Sequence, residues 1–207
     1  GRFSINKDML TLSSTVDSLK FHLRRGKGHL LGYVGNRFRW HYFPRLRIQG
    51  EYPEHIDMEL AAVCNLKCPM CYTITDRFKQ DVSATLLSWD LIEKILREAG
   101  GAGVFSVRLS LRGEPMLNPH FYEAAKLAKE VGIREVASLT NATKLTPEVF
   151  EKLVDIEMDW LTISADGIGE TYNRIRYPAK YDELLEKLRA FQERLVGSRP
   201  GPSRRML

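Results

Sequence analysis

Cys64-Asn65-Leu66-Lys67-Cys68-Pro69-Met70-Cys71 holds all three cysteines of a 207-residue chain, in the spacing CxxxCxxC. An odd set of clustered thiols, in a chain showing no secretory signal, is not a disulfide framework. A structural zinc site closes with four ligands. No His or further Cys follows at finger-like spacing; His55 and His120 are the nearest candidates and belong to separate predicted elements. Three thiolates on a short loop suit an iron–sulfur cluster instead. Such clusters normally take four thiolates, so three leave one iron open to a small molecule.

Working outward, strand-like and helix-like stretches alternate. Residues 56–63 read as a strand delivering the chain to Cys64. Ser88 is a candidate N-cap for a helix with Leu91, Ile92, Ile95, Leu96 and Ala99 on one face, closed at Gly100-Gly101. Residues 104–111 form the next predicted strand, ending at Arg112-Gly113-Glu114-Pro115. Asn118 is expected to cap, and Pro119 to open, a helix ending at Gly132. A third strand, 133–139, ends at Thr140-Asn141, and Thr146-Pro147 starts a third helix. The fourth strand, 159–163, ends at Ser164-Ala165-Asp166-Gly167, and the last helix carries Leu184, Leu188, Phe191 and Leu195 inward. Four strand–helix units in series imply a parallel sheet with right-handed crossovers. Ligands of such sheets collect beyond the carboxyl ends of the strands, and every distinctive polar motif falls there.

The formal charge is +5, unevenly spread: residues 1–50 hold ten Lys/Arg against two Asp, leaving the remainder at −3. Between Lys20 and Arg47 aromatic and basic residues interleave without an acid. That pattern suits nucleic acid or an anionic membrane, but the expectation is an ordinary N-terminal extension. A short helix is expected at 15–25 and a hairpin at 33–43. With 43% hydrophobic and 28% charged residues, and no apolar run of membrane-spanning length, the chain reads as soluble and cytoplasmic. The domain reading is an extension at 1–50, a core at 51–196 and a disordered basic tail at 197–207. Because the chain starts at Gly1 and only four units are visible, it is expected to be part of a longer enzyme.

From Glu51 to Leu195 the chain resembles the radical S-adenosylmethionine (SAM) enzymes, whose hallmark is CxxxCxxC. The order of the Cys loop, Gly113-Glu114-Pro115, Thr140-Asn141-Ala142-Thr143 and Ser164-Ala165-Asp166-Gly167 with Tyr172-Asn173-Arg174-Ile175-Arg176 is most similar to the SPASM/twitch-type branch. The resemblance implies an α/β fold, the first four units of a (βα)6 partial TIM-type barrel. It implies a [4Fe–4S] cluster on Cys64, Cys68 and Cys71, with SAM on the open iron. Gly113 and Glu114 would receive the SAM ammonium, Asn141 would lie near SAM, and Ser164 would bond its ribose. Arg176 would pair with its carboxylate, and Met70, replacing the family's aromatic, would pack on the adenine. The implied reaction is reductive cleavage of SAM to a 5′-deoxyadenosyl radical, which takes hydrogen from a substrate such as a peptide or another maturation target. An external flavodoxin- or ferredoxin-like reductant is implied as partner. The alternatives are a non-catalytic iron–sulfur or zinc protein, or an inactive fragment, with a basic nucleic-acid-binding arm.

Overall fold

The computed structural model describes Leu19, His22, Leu23, Arg25, Gly26 and residues 28–197. The chain separates into two compact units, Gly1–Gly50 and Glu51–Leu207. Most of the helix expected at 15–25, and the tail from 198 onward, lie outside the described residues.

In the first unit, helix α1 (Leu30–Leu46) replaces the expected hairpin. The aromatic run has strand propensity, yet tertiary contacts decide otherwise. Tyr33 and Asn36, one turn apart, are the buried positions of α1. His22 Nδ1 lies 2.6 Å from the Tyr33 hydroxyl, and the Arg25 and Arg37 guanidinium groups each stand 5.6 Å from its ring centre. Arg47, left-handed at φ 55°, closes the helix by donating its N–H to Phe43 and Pro44 carbonyls.

The second unit is the expected α/β architecture. Strands β1 (His55–Asp57), β2 (Ser106–Arg108), β3 (Glu135–Thr140) and β4 (Trp160–Ile163) pair in parallel, in sequence order. Between them run α2 (Asp76–Asp81), α3 (Trp89–Gly101), α4 (Phe121–Glu130) and α5 (Pro147–Asp155). Then come α6 (Glu170–Ile175) and α7 (Tyr181–Gly197). Each crossover is a helix, as parallel pairing demands. Ile92, Leu96, Ala124, Ala128, Phe150, Leu153, Leu184 and Phe191 meet Val107, Leu109 and Val136 in one core. Phe150 and Phe191 stack at 4.3 Å between centroids.

Several boundaries differ from the sequence reading, for physical reasons. Strand β1 is shorter than 56–63 because the chain changes partner after Met58. Ala62 donates to the Thr85 carbonyl, Leu87 donates to Leu60, and Ala61 bridges Leu86 antiparallel. Strand β2 is likewise shorter than 104–111. Helix α4 starts at Phe121 rather than Pro119, with His120 as its N-cap residue. Asn118 is held away from that role: its amide donates to the Leu60 and Leu87 carbonyls at 2.8 and 2.9 Å, and its Oδ1 accepts from His120 N–H. Ser88 precedes α3 without a side-chain cap bond. Leu91 (44% exposed) and Leu188 (39%) sit at the solvent edge of their helices rather than inside.

Candidate functional site

The Cys loop follows β1, and it is met by the segments after β2 and β3 and by the residues after α6. Gly113, past β2, lies where the chain leading to Cys64 crosses. A Cβ there would stand 2.3 Å from the carbonyl oxygens of both Ala61 and Val63, so only glycine fits. Next to it, Glu114 donates its N–H to the Val63 carbonyl at 2.8 Å. This crossing pins the start of the loop against the end of β2.

The Glu114 side chain is 2% exposed. Its Oε1 accepts from the Thr140 hydroxyl (2.7 Å) and Met116 N–H (3.1 Å), and its Oε2 accepts from Asn141 N–H (2.7 Å). Burial raises its pKa above the ordinary carboxylate value, while those donors and the Arg176 charge pull the other way. The sequence reading gave this carboxylate to the SAM ammonium. In the structure it first ties the ends of β2 and β3 together.

Asn141 carries the connection onward. Its Oδ1 accepts from the N–H and hydroxyl of Thr143, orienting the amide so that Nδ2 donates to Asn65 Oδ1 (2.9 Å) and faces Cys64 Sγ (3.8 Å). From α7, Lys187 Nζ donates to the carbonyls of Ala142 and Thr143 at 3.0 and 2.8 Å. Ala142 is left-handed at φ 59°, a strained state that these bonds help hold.

Beyond β4, Ser164 donates its N–H to the Thr140 carbonyl. Arg176, just after α6, ion-pairs with Asp166, and its Nη1 faces Cys68 Sγ at 3.8 Å. Its Nε is buried without a hydrogen-bond partner. The Lys67 N–H donates to the Tyr177 carbonyl at 2.7 Å, tying the middle of the Cys loop to the same segment.

All three cysteines are free thiols. Cys71 Sγ lies 2.9 Å from the Thr73 hydroxyl, and Leu66 N–H reaches Cys64 Sγ at 3.5 Å. Cys64 is open to solvent as a residue. Neighbouring atoms nonetheless desolvate its sulfur, which pushes the thiol pKa up; the Glu114 and Cys68 charges add to this, and the Leu66 and Asn141 donors oppose it. Met70 is 58% exposed at the loop tip. The two histidines weighed as zinc ligands are engaged elsewhere: His55 with Ser106 and Asp57, His120 against the Trp89 ring. Among the described residues, no three His, Cys, Asp or Glu side chains gather around one metal-ion position. A zinc ion needs its donors about 2.0–2.3 Å from a single point. Sulfurs on separate irons of a cluster need not meet at a point. The donor set therefore fits a cluster: three free thiols on one loop, each beside a hydrogen-bonding group, with a buried unpartnered N–H at Arg176 among them.

Residues 58–198 match the model of the Radical SAM superfamily. The chain belongs to that superfamily. This radical SAM chain is 34% identical over 135 residues to the AdoMet-dependent heme synthase of Methanosarcina barkeri, covering 64% of this chain and 37% of the relative. It is 26% identical over 143 residues to the GTP 3',8-cyclase of Chlorobaculum tepidum, covering 67% and 41%. Streptococcus suis SuiB bound to S-adenosylmethionine superposes with a TM-score of 0.57 at 20% identity, covering 87% of this chain and 43% of that one. The likeness to SuiB establishes the fold alone. The radical SAM chain spans about two fifths of the length of these curated relatives. A [4Fe–4S] cluster and SAM are the cofactors of the superfamily, and its members are enzymes.

Some participants escaped the sequence reading. Arg112 pairs with Glu59 through its N–H (3.2 Å) and Nε (2.7 Å), and its guanidinium lies 5.5 Å from the Phe78 ring centre. Glu59, Thr73 and Lys187 carry no motif. Strand alternation from Asp57 to Glu59 was the one available hint. No helix among the described residues is long and apolar enough to cross a membrane.

Proposed function

We propose that residues 51–196 form a radical SAM core that holds a [4Fe–4S] cluster through Cys64, Cys68 and Cys71 and cleaves SAM reductively. When bound, these cofactors supply the one-electron cleavage of SAM that yields a hydrogen-abstracting 5′-deoxyadenosyl radical. The chain's own residues bind and orient. Arg176 Nε, buried and unpartnered beside Cys68, is the donor left for the SAM carboxylate. Gly113 and Glu114 flank the ammonium position, Asn141 lines the Cys64 side, Ser164 serves the ribose, and exposed Met70 is free to close on the adenine. Residues 1–50 act as an extension, and 197–207 as a tail. A flavodoxin- or ferredoxin-like reductant delivers the electron in the cytoplasm.

The observation that carries this reading is the convergence of the segments after β2, β3 and α6 on the single three-thiol loop that follows β1. The two relatives, a heme synthase and a GTP cyclase, differ in the reaction each is named for. What they share with this chain supports a common cofactor unit. The hydrogen-donating substrate is a peptide or another maturation target, selected with the help of residues outside the matched core.

Anaerobic reconstitution tests the reading. About four irons and four sulfides per chain are expected, with 5′-deoxyadenosine formed from SAM under a strong reductant. A protein that stays iron-free and takes up zinc would refute it.

A further inference from the structure

Each cysteine of the loop faces a hydrogen-bonding side chain, and each of these comes from a different place. Asn141, after β3, directs its amide at Cys64 Sγ. Arg176, after α6, directs Nη1 at Cys68 Sγ. Thr73, in the turn following the motif, places its hydroxyl 2.9 Å from Cys71 Sγ. Two of the three are braced: Asn141 by Thr143 and Asn65, and Arg176 by Asp166. The family resemblance implies SAM roles for Asn141 and Arg176 and none for Thr73.

We infer that Thr73, Asn141 and Arg176 are positioning residues that set the reduction potential of the cluster by hydrogen bonding to its three thiolates. The inference rests on the cluster reading above. Reduction adds one negative charge to the cluster, shared with its sulfurs. Donors aimed at those sulfurs stabilise the reduced form more than the oxidised one, so they raise the potential. Arg176 adds a full positive charge to its donor and has the largest effect. Asp166 holds that charge against Cys68 and keeps it partly neutralised. Thr73 offers only a hydroxyl, but at the shortest distance. The electron-accepting step is otherwise hard for a reductant of moderate strength, and three fixed donors ease it.

Thr73→Val is the cleanest probe, because it exchanges a hydroxyl for a methyl of similar size at a residue no SAM role requires. The anaerobically reconstituted full chain is titrated with a low-potential reductant, and the reduced cluster is followed by electron paramagnetic resonance. Thr73→Val is expected to keep the iron and sulfide content of the parent while its midpoint moves to more negative potential, and Thr73→Ser restores the parent value. Arg176→Gln is expected to move the midpoint further the same way. Loaded Thr73→Val and Arg176→Gln with midpoints equal to the parent's would overturn the inference and leave the cluster reading standing. A parent chain that binds no iron would overturn both. If Arg176→Gln fails to load, Thr73→Val with its serine control decides alone.

Discussion

The backbone N–H of Asn141 donates to the Glu114 carboxylate at 2.7 Å, joining the ends of two strands through a side chain that is almost wholly buried. The same carboxylate takes the Thr140 hydroxyl and Met116 N–H. Removing it leaves the buried Thr140 hydroxyl and Asn141 N–H and the partly buried Met116 N–H without this acceptor, at about 1–3 kcal/mol for each buried donor. Glu114→Ala is therefore expected to lose about 3 kcal/mol or more in urea unfolding. A loss below about 0.5 kcal/mol would mean that water replaces the carboxylate easily.

Glu114 also makes stability depend on pH. Burial raises its folded pKa above the ordinary value of 4.5. The folded chain thus keeps the proton to higher pH than the unfolded chain does. Its contribution favours folding below the ordinary carboxylate value and is lost as pH rises through the raised folded value. Comparison with Glu114→Gln, which cannot ionise, isolates this group. The stability of the parent relative to Glu114→Gln is expected to fall as pH rises through that window and then level off. A difference that grows with pH would contradict the shift.

Gly113→Ala is expected to be expensive, because both obstructing atoms are backbone carbonyls that cannot rotate aside. The cost of such overpacking is about 2–3 kcal/mol, read as a lowered denaturation midpoint. Unchanged stability would show that the segment from Ala61 to Val63 yields freely.

Asn118→Ala takes a donor from the Leu60 and Leu87 carbonyls and the acceptor from the His120 N–H, and leaves Leu60 only the Leu87 N–H. The expected loss is about 2–3 kcal/mol, measured by thermal or urea unfolding.

Much of this was legible in sequence. The alternation of periods gave four strand–helix units in their observed order, and the three-cysteine spacing marked the loop that Asn141 and Arg176 face. The failures have physical causes. The aromatic run from Tyr33 to Phe43 is locally strand-like, and contacts from His22 and Arg25 to Tyr33 are not visible to a propensity argument. Asn118 beside Pro119 looks like a helix start. Its real partners lie 58 and 31 residues away in sequence. Glu114 was given a ligand role that its three internal donors share, since a carboxylate at a strand end looks the same whether it faces a cofactor or its neighbours. Lys187, on α7, was invisible as a clamp on the loop after β3 because nothing in its own helix marks it.

That clamp has a measurable consequence. Partial burial lowers the Lys187 pKa, and its charge is spent on two carbonyls. Lys187→Met is expected to cost only about 1 kcal/mol, because the side chain remains partly solvated. The sharper readout is local. The Leu145 N–H, which closes the turn onto Ala142, is expected to exchange with solvent faster in the variant. An unchanged exchange rate would mean that the turn holds itself.

The central claim is that three cysteines leave one iron of four for SAM. Mössbauer spectroscopy of iron-57-reconstituted protein, with and without SAM, addresses it most directly. The expected spectrum separates one iron from the other three, and only that iron changes when SAM is added. Four equivalent irons that ignore SAM, or no iron at all, would contradict the account.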